Sequence, residues 1–120
     1  MKTIQLNTEV LLNLYGDCEE SKAEVFSEFL TGYYELKQNL FSAYESGSLD
    51  SLKNLLHYHG PSFMYIGVPE VADWFKKLEA NCNSVKDRFS ISVDFFNLLQ
   101  MVDDTRMQVA DQMQYFQKAG

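Results

Sequence analysis

Apolar side chains recur at alternating steps of three and four residues in four long segments, the spacing that places them on one face of a helix. These predicted helices cover residues 17–44, 49–66, 69–81 and 84 onward. A shorter helix is predicted over residues 8–14, with Asn7 as its N-cap and Gly16 after its end. The pattern therefore predicts a chain built from helices.

The predicted helices are separated by short turns, and helices joined in this way usually pack antiparallel. We therefore expect an all-α fold: an up-down-up-down four-helix bundle with a short extra N-terminal helix. A chain of 120 residues is expected to form one domain over 1–120. Within it, residues 1–16 form a loose lead-in and the short helix, and residues 17–118 form the bundle.

Two places fit a second interpretation. Apolar residues also alternate with period two over 89–95, as in a strand, but a helix is predicted because no second strand is available to pair with it. Pro61 lacks an N–H, so it predicts a kink at the unpaired carbonyl of His57. The alternative is that Gly60 and Pro61 end one helix and Ser62 begins another.

The charge balance disfavours several classes of partner. The chain has 17 acidic and 10 basic residues, a formal charge of −7, which repels nucleic acid and anionic membrane surfaces. No apolar run approaches the roughly 20 residues that span a bilayer, and the N-terminus has no signal-peptide pattern. Cys18 and Cys82 lack a nearby second cysteine, so both are expected to be reduced thiols in a cytoplasmic protein.

Both histidines of the chain lie in the segment 56–67. His57 and His59 are two residues apart, so on a helix they point in nearly opposite directions and cannot share a metal ion. His59 falls on the apolar face, whereas His57 is expected to face outward. The residues expected beside His57 on its face are Lys53, Gly60, Pro61 and Met64.

The run from His57 to Glu79 resembles the histidine phosphotransfer (HPt) domains, the small helical modules of multistep phosphorelays. The positions that match at family spacing are His57, Pro61, Ser62, Phe63, Gly67, Val71, Leu78 and Glu79. The resemblance covers about residues 17–118. Two positions depart from the family: Gly60 stands where a lysine is customary, and His59 replaces an aliphatic residue.

The resemblance implies that His57 accepts a phosphoryl group from an aspartyl phosphate of a receiver domain, in a response regulator or hybrid histidine kinase, and passes it to another receiver. It implies a docking face of Lys53, Gly60, Pro61 and Met64, with structural roles for Ser62 and Gly67. The partner would supply Mg²⁺, and this chain would need no cofactor. The resemblance implies a phosphocarrier and not an enzyme, and no autonomous kinase activity is expected because no nucleotide-binding glycine loop is present.

Two other functions remain open at this stage. The first is a degenerate HPt-fold protein that binds a signalling partner without carrying phosphate, which the glycine at position 60 keeps open. The second is a helical bundle that binds metal or haem through a histidine. The opposite orientations of His57 and His59 disfavour the second.

Overall fold

The computed structural model describes residues 4–119, with side chains through residue 114, and its described part is all-helical with no strand. The α-helices are α1 (Thr8–Tyr15), α2 (Glu19–Ser46), α3 (Leu49–His59), α4 (Ser62–Ile66), α5 (Pro69–Cys82) and α6 (Ser92–Ala119). A 3-10 helix, Arg88–Ile91, precedes α6. None of these helices has both the length and the apolar character needed to cross a membrane.

The predicted apolar faces of the first three long segments are confirmed. The residues expected on these faces that are buried are Phe26, Tyr33, Leu36, Leu40, Ala43, Leu52, Leu56, Phe63, Ile66, Val71, Phe75 and Leu78, and the half-buried ones are Phe29, His59 and Trp74. The buried residues join one core, in which α3 packs on α5 and α2 packs on both α3 and α6. Side-chain caps start two of the helices. Asn7, the predicted N-cap of α1, accepts from the Val10 N–H, and Ser48, directly before α3, accepts from the Ser51 N–H.

The predicted helix over 49–66 is wrong at Gly60–Pro61, where α3 ends and α4 begins. Pro61 has no N–H for the carbonyl of His57, so the helical ladder is interrupted there. Both residues nevertheless keep right-handed helical angles, with φ of −52° and −57°. The Phe63 N–H donates to the Gly60 carbonyl at 3.1 Å in the tighter 3-10 pattern. The apolar face therefore continues in phase into α4 despite the break.

The last helix begins later than predicted, at Ser92 and not at residue 84. Asp87 ends the preceding loop by accepting the Ser90 N–H at 3.2 Å, which starts the 3-10 helix. The expectation of a helix and no strand over 89–95 is confirmed, although its first part is 3-10.

The predicted core face of α6 and of the 3-10 helix before it is largely wrong. The spacing predicts a core face of Phe89, Val93, Phe96, Leu99, Met107, Ala110 and Met113. Of these, Leu99 is buried, Ala110 and Met113 are half-buried, and the other four are exposed. The buried residues outside this predicted face include Ile91, Phe95, Leu98, Val102 and Val109. The segment carries two apolar faces with the same spacing, and packing selects between them. The Phe95 ring stacks on Tyr44 of α2 with centroids 4.3 Å apart, which turns the other face to the surface.

The N-terminal segment is packed more tightly than the expected loose lead-in, whose residues 1–3 lie outside the described residues. Ile4 is 1% exposed, and the Asn7 N–H donates to the Gly67 carbonyl at 2.7 Å. The Tyr15 hydroxyl donates to the Tyr65 carbonyl at 2.6 Å. These two hydrogen bonds hold α1 against α4 and the glycine that follows it.

Candidate functional site

His57 lies on the outer side of α3, with its side chain 78% exposed. Leu56, one position before it, is buried in the core and holds this part of the helix in place. The Nδ1 atom of His57 lies 3.0 Å from Oε2 of Glu79 on α5. An exposed imidazole is thereby tied to the neighbouring helix through one of its two ring nitrogens.

The contact with Glu79 determines which nitrogen of His57 is free. An ionised carboxylate can only accept a hydrogen bond, so Nδ1 is the donor and carries a proton. In the neutral imidazole, Nε2 then has the unshared electron pair. The orientation leaves Nε2 available as a nucleophile or as a proton acceptor.

A surface groove of about 620 Å³ runs beside His57 between the α3–α4 segment and α5. Three of the residues predicted to flank His57 line it: Gly60, Pro61 and Met64. The opposite wall includes Glu79 and Lys76 of α5. The structure therefore brings most of the predicted docking face together around one concave surface.

Gly60 forms the floor of this groove and is itself buried, whereas Pro61 and Met64 are exposed. A Cβ on Gly60 would lie 3.0 Å from the Cβ of Phe75 and 3.0 Å from the Leu56 carbonyl oxygen. The glycine permits a close approach between the end of α3 and α5. A glycine beside His57 therefore serves the packing of α3 on α5 as well as access to the histidine.

Lys53 lies at the edge of the site and is not part of the groove wall. Its Nζ donates to Oδ1 of Asn83 at 3.0 Å, and Asn83 lines the groove. This hydrogen bond ties the second turn of α3 to the residue that follows α5. Lys53 is therefore already engaged within the chain.

Ser62 and Gly67, predicted to be structural, bound the short helix α4. Ser62 is its exposed first residue. Gly67 follows its end with φ +91°, a left-handed conformation that favours glycine. A Cβ at Gly67 would lie 2.7 Å from Cγ of Leu11, so this position also lets α1 pack closely against the chain.

His59 lies away from the His57 groove, on the half-buried side of α3. It lines a second, smaller groove together with Phe29, Ser62 and Phe63. Burial lowers the pKa of His59 below its ordinary value of 6.5, and the nearby charge of Glu35 opposes this change. The neutral imidazole is thus the form that this position favours.

Two residues of the site were given no role by sequence reasoning. Glu79 enters the sequence analysis only as a position that matches the HPt family, and Lys76 does not enter it. The signal was a polar row at steps of three on α5, Asp73, Lys76 and Glu79. Only the packing of α5 against α3 shows that this row faces His57.

The described residues contain no cluster of three or more His, Cys, Asp or Glu side chains that could hold a metal ion. Cys18 is exposed and Cys82 is buried, and both are free thiols. Comparison of the chain with protein-family models, curated proteins and solved structures gives no match in any of the three.

Proposed function

We propose that this chain is a phosphorelay intermediate of the HPt type, in which His57 accepts a phosphoryl group from a receiver-domain aspartyl phosphate and passes it to another receiver. The observation that carries the proposal is the His57–Glu79 contact. In the neutral ring, it leaves Nε2 of an exposed histidine unprotonated at the rim of a groove of about 620 Å³. The sequence resemblance from His57 to Glu79 supports the same function.

The proposed phosphoryl transfer accounts for every bond and proton at His57 and the aspartyl phosphate. The Nε2 electron pair attacks phosphorus, an N–P bond forms, and the P–O bond to the aspartyl carboxylate breaks. No proton has to leave Nε2, because the proton of the ring is on Nδ1. The phosphorylated ring is an imidazolium, and the Glu79 carboxylate 3.0 Å from Nδ1 stabilises its positive charge. Reversal of the same step returns the phosphoryl group to a carboxylate.

Several further features belong to this proposal. The receiver would supply Mg²⁺ and the cationic groups around the transferring phosphoryl group, so this chain would need no cofactor and no kinase activity. The helices would be arranged as an up-down-up-down bundle with α1 added at one end. A cytoplasmic location would keep both cysteines reduced.

The test is incubation with a panel of ³²P-labelled phosphoreceiver domains, followed by measurement of acid-labile, base-stable label on this chain. Wild type and His59→Leu are expected to be labelled, and His57→Gln is not. Circular dichroism of His57→Gln should match that of wild type, because the side chain is exposed. Label retained by a folded His57→Gln variant would contradict the assignment of the acceptor.

A second candidate is a protein of the same fold that binds a receiver without accepting phosphate. The acidic side chain of Asp73 in the groove favours it, because a carboxylate without a stabilising contact to the ring repels a phosphoryl group. It predicts that a receiver binds with equal affinity to wild type and His57→Gln, and that no label is transferred. Binding by calorimetry and transfer by autoradiography on the same receiver distinguish the two functions.

A further inference from the structure

A phosphoryl group on His57 would create an electrostatic problem in the groove. Its oxygens would bring about two negative charges, only partly offset by the positive ring, to a chain whose formal charge is already −7. Among the residues that line the groove, Asp73 and Glu79 are acidic, and Lys76 is the one lysine or arginine. The local balance therefore leaves a single cationic side chain to offset the new charge.

The three lysines near this surface differ in what they contact. Lys53 donates to Asn83 at 3.0 Å. Lys77 lies over the Trp74 ring, 5.4 Å from its centroid. Lys76 makes no hydrogen bond or ion pair within the part of the chain that the structure describes. Its ammonium group is free to bind an anion without breaking an existing contact.

Helix geometry places Lys76 beside His57 along the length of the groove. Gly60, one turn after His57, packs on Phe75, and Lys76 is the next residue along α5. Glu79, which contacts His57, lies three residues after Lys76 and therefore on the same side of α5. His57, Gly60 and Lys76 all line the same groove, and Gly60 has no side chain that could stand between the other two.

We propose that Lys76 holds the phosphoryl group carried by His57, with its ammonium group paired to the phosphoryl oxygens in the groove that both residues line. This inference rests on the proposed function and adds the residue that makes the phosphorylated state electrostatically acceptable. Lys76 would act after docking, on the phosphoryl group itself and not on the receiver surface. Its effect should therefore appear with any phosphoryl donor.

The experiment uses the full chain and two donors: a phosphorylated receiver, and phosphoramidate, a small molecule that phosphorylates histidine without protein docking. The variants are Lys76→Gln, Lys76→Arg and the adjacent control Lys77→Gln. With Lys76→Gln, the rate of His57 labelling by phosphoramidate and the equilibrium constant for transfer from the receiver should both fall about tenfold at low salt. Lys76→Arg should stay within about twofold of wild type, because it keeps the charge.

Salt provides a readout that a structural role would not change. The difference between wild type and Lys76→Gln should shrink as ionic strength rises, since added ions screen the pair. Equal labelling of Lys76→Gln and wild type by phosphoramidate would overturn the proposal, as would an effect seen only with the receiver. An equal loss in Lys77→Gln would also overturn it.

The outcomes separate this inference from the proposed function. If phosphoramidate labels His57 with the expected Lys76 dependence but no receiver does, the relay function fails and the phosphoryl contact stands. If receivers label wild type and Lys76→Gln equally well, the relay stands and the role of Lys76 fails. If neither donor labels His57, both are wrong.

Discussion

Gly60 packs directly against Phe75, so that a Cβ added at Gly60 would stand 3.0 Å from the Phe75 Cβ. The contact lies one turn after His57 and sets the spacing between the end of α3 and α5. That spacing in turn brings Glu79 within hydrogen-bond distance of the His57 ring. The geometry of the candidate site is thus coupled to a packing contact in the core.

Gly60→Ala should destabilise the protein by about 1 kcal/mol, because the new methyl group overpacks the contact with Phe75. The matched control is Gly32→Ala in α2, where a Cβ meets no atom within 4 Å. That control should gain about 0.5–1 kcal/mol from the better helix propensity of alanine. Urea unfolding of both variants checks that the free energy of unfolding falls in one and rises in the other. A Gly60→Ala variant more stable than wild type would show that α5 moves away from the new methyl group without loss of stability. Larger residues at position 60 should cost more, so Gly60→Lys is not expected to be neutral for the fold.

Gly67→Ala should lower the stability of the protein more than Gly47→Ala does, although both glycines have a left-handed backbone conformation. Gly67 and Gly47 both have positive φ, +91° and +79°, and both follow the end of a helix. Alanine at Gly47 should cost about 1 kcal/mol for the backbone conformation alone. At Gly67 the Cβ would also lie 2.7 Å from the Leu11 side chain, which should add about 1–3 kcal/mol. Thermal unfolding should rank the two variants in that order, and in a Leu11→Ala background the Gly67→Ala change should cost less than it does in wild type.

Glu79→Gln should slow phosphoryl acceptance at His57 by about tenfold, equivalent to 1.4 kcal/mol of transition-state stabilisation. Glutamine can still accept the Nδ1–H bond and preserve the tautomer, so the change isolates the negative charge. Glu79→Ala removes the bond as well and should be slower still. The measurement is the initial rate of transfer from a labelled receiver, with Glu70→Gln on the same helix as the control. Equal rates in all of these variants would show that Glu79 does not act on His57.

His59 should make the protein less stable in acid. Burial holds its folded pKa below the ordinary 6.5 of the unfolded chain, so the unfolded state binds the proton more readily. The stability associated with the neutral ring is therefore present above pH 6.5 and is lost as the pH falls through the folded-state pKa. His59→Leu should remove this loss, and its advantage over wild type in urea midpoint should grow from pH 7.5 to pH 5. An advantage that stays constant with pH would contradict the assignment.

Tyr33 should contribute stability that is lost in alkali. Its hydroxyl donates to Asp103, which also pairs with Lys37 at 3.0 Å, and this cluster joins α2 to α6. Burial first, and then the bond to Asp103, raises the pKa of Tyr33 from 10.0 to about 12. The stability is fully present below pH 10 and disappears as the pH rises through about 12.

Tyr33→Phe tests the same cluster. At neutral pH the variant should lose about 1–3 kcal/mol, because the bond to a charged acceptor is removed. Its stability should then depend less on pH than that of wild type between pH 10 and 12. Absorbance titration at 295 nm should show that the variant has one tyrosine fewer with a pKa well above 10. Parallel alkaline curves for wild type and Tyr33→Phe would contradict the assigned pKa.

The sequence by itself determined the helical fold and most of the core. In α2, α3 and α5, apolar residues recur on a single face, so helical periodicity alone identified Phe26, Leu52 and Leu78 as buried. The same reasoning placed His57 outside and His59 toward the core, because two residues of separation rotate a side chain to nearly the opposite side of a helix. Pro61 by itself allows two outcomes, a kink within one helix or a break between two, and the structure has the break that the sequence offers as the alternative.

Tertiary structure decided the features for which local sequence offers two solutions or none. In α6, Phe95 and Phe96 lie on two apolar faces, and only the stacking of Phe95 on Tyr44 determines which face is buried. The partnership of His57 with Glu79 spans 22 positions of the chain, and periodicity carries no information about which turn of α5 faces which turn of α3. That relation depends on the close contact of Gly60 with Phe75, because helix packing is determined by the shapes of the two surfaces together.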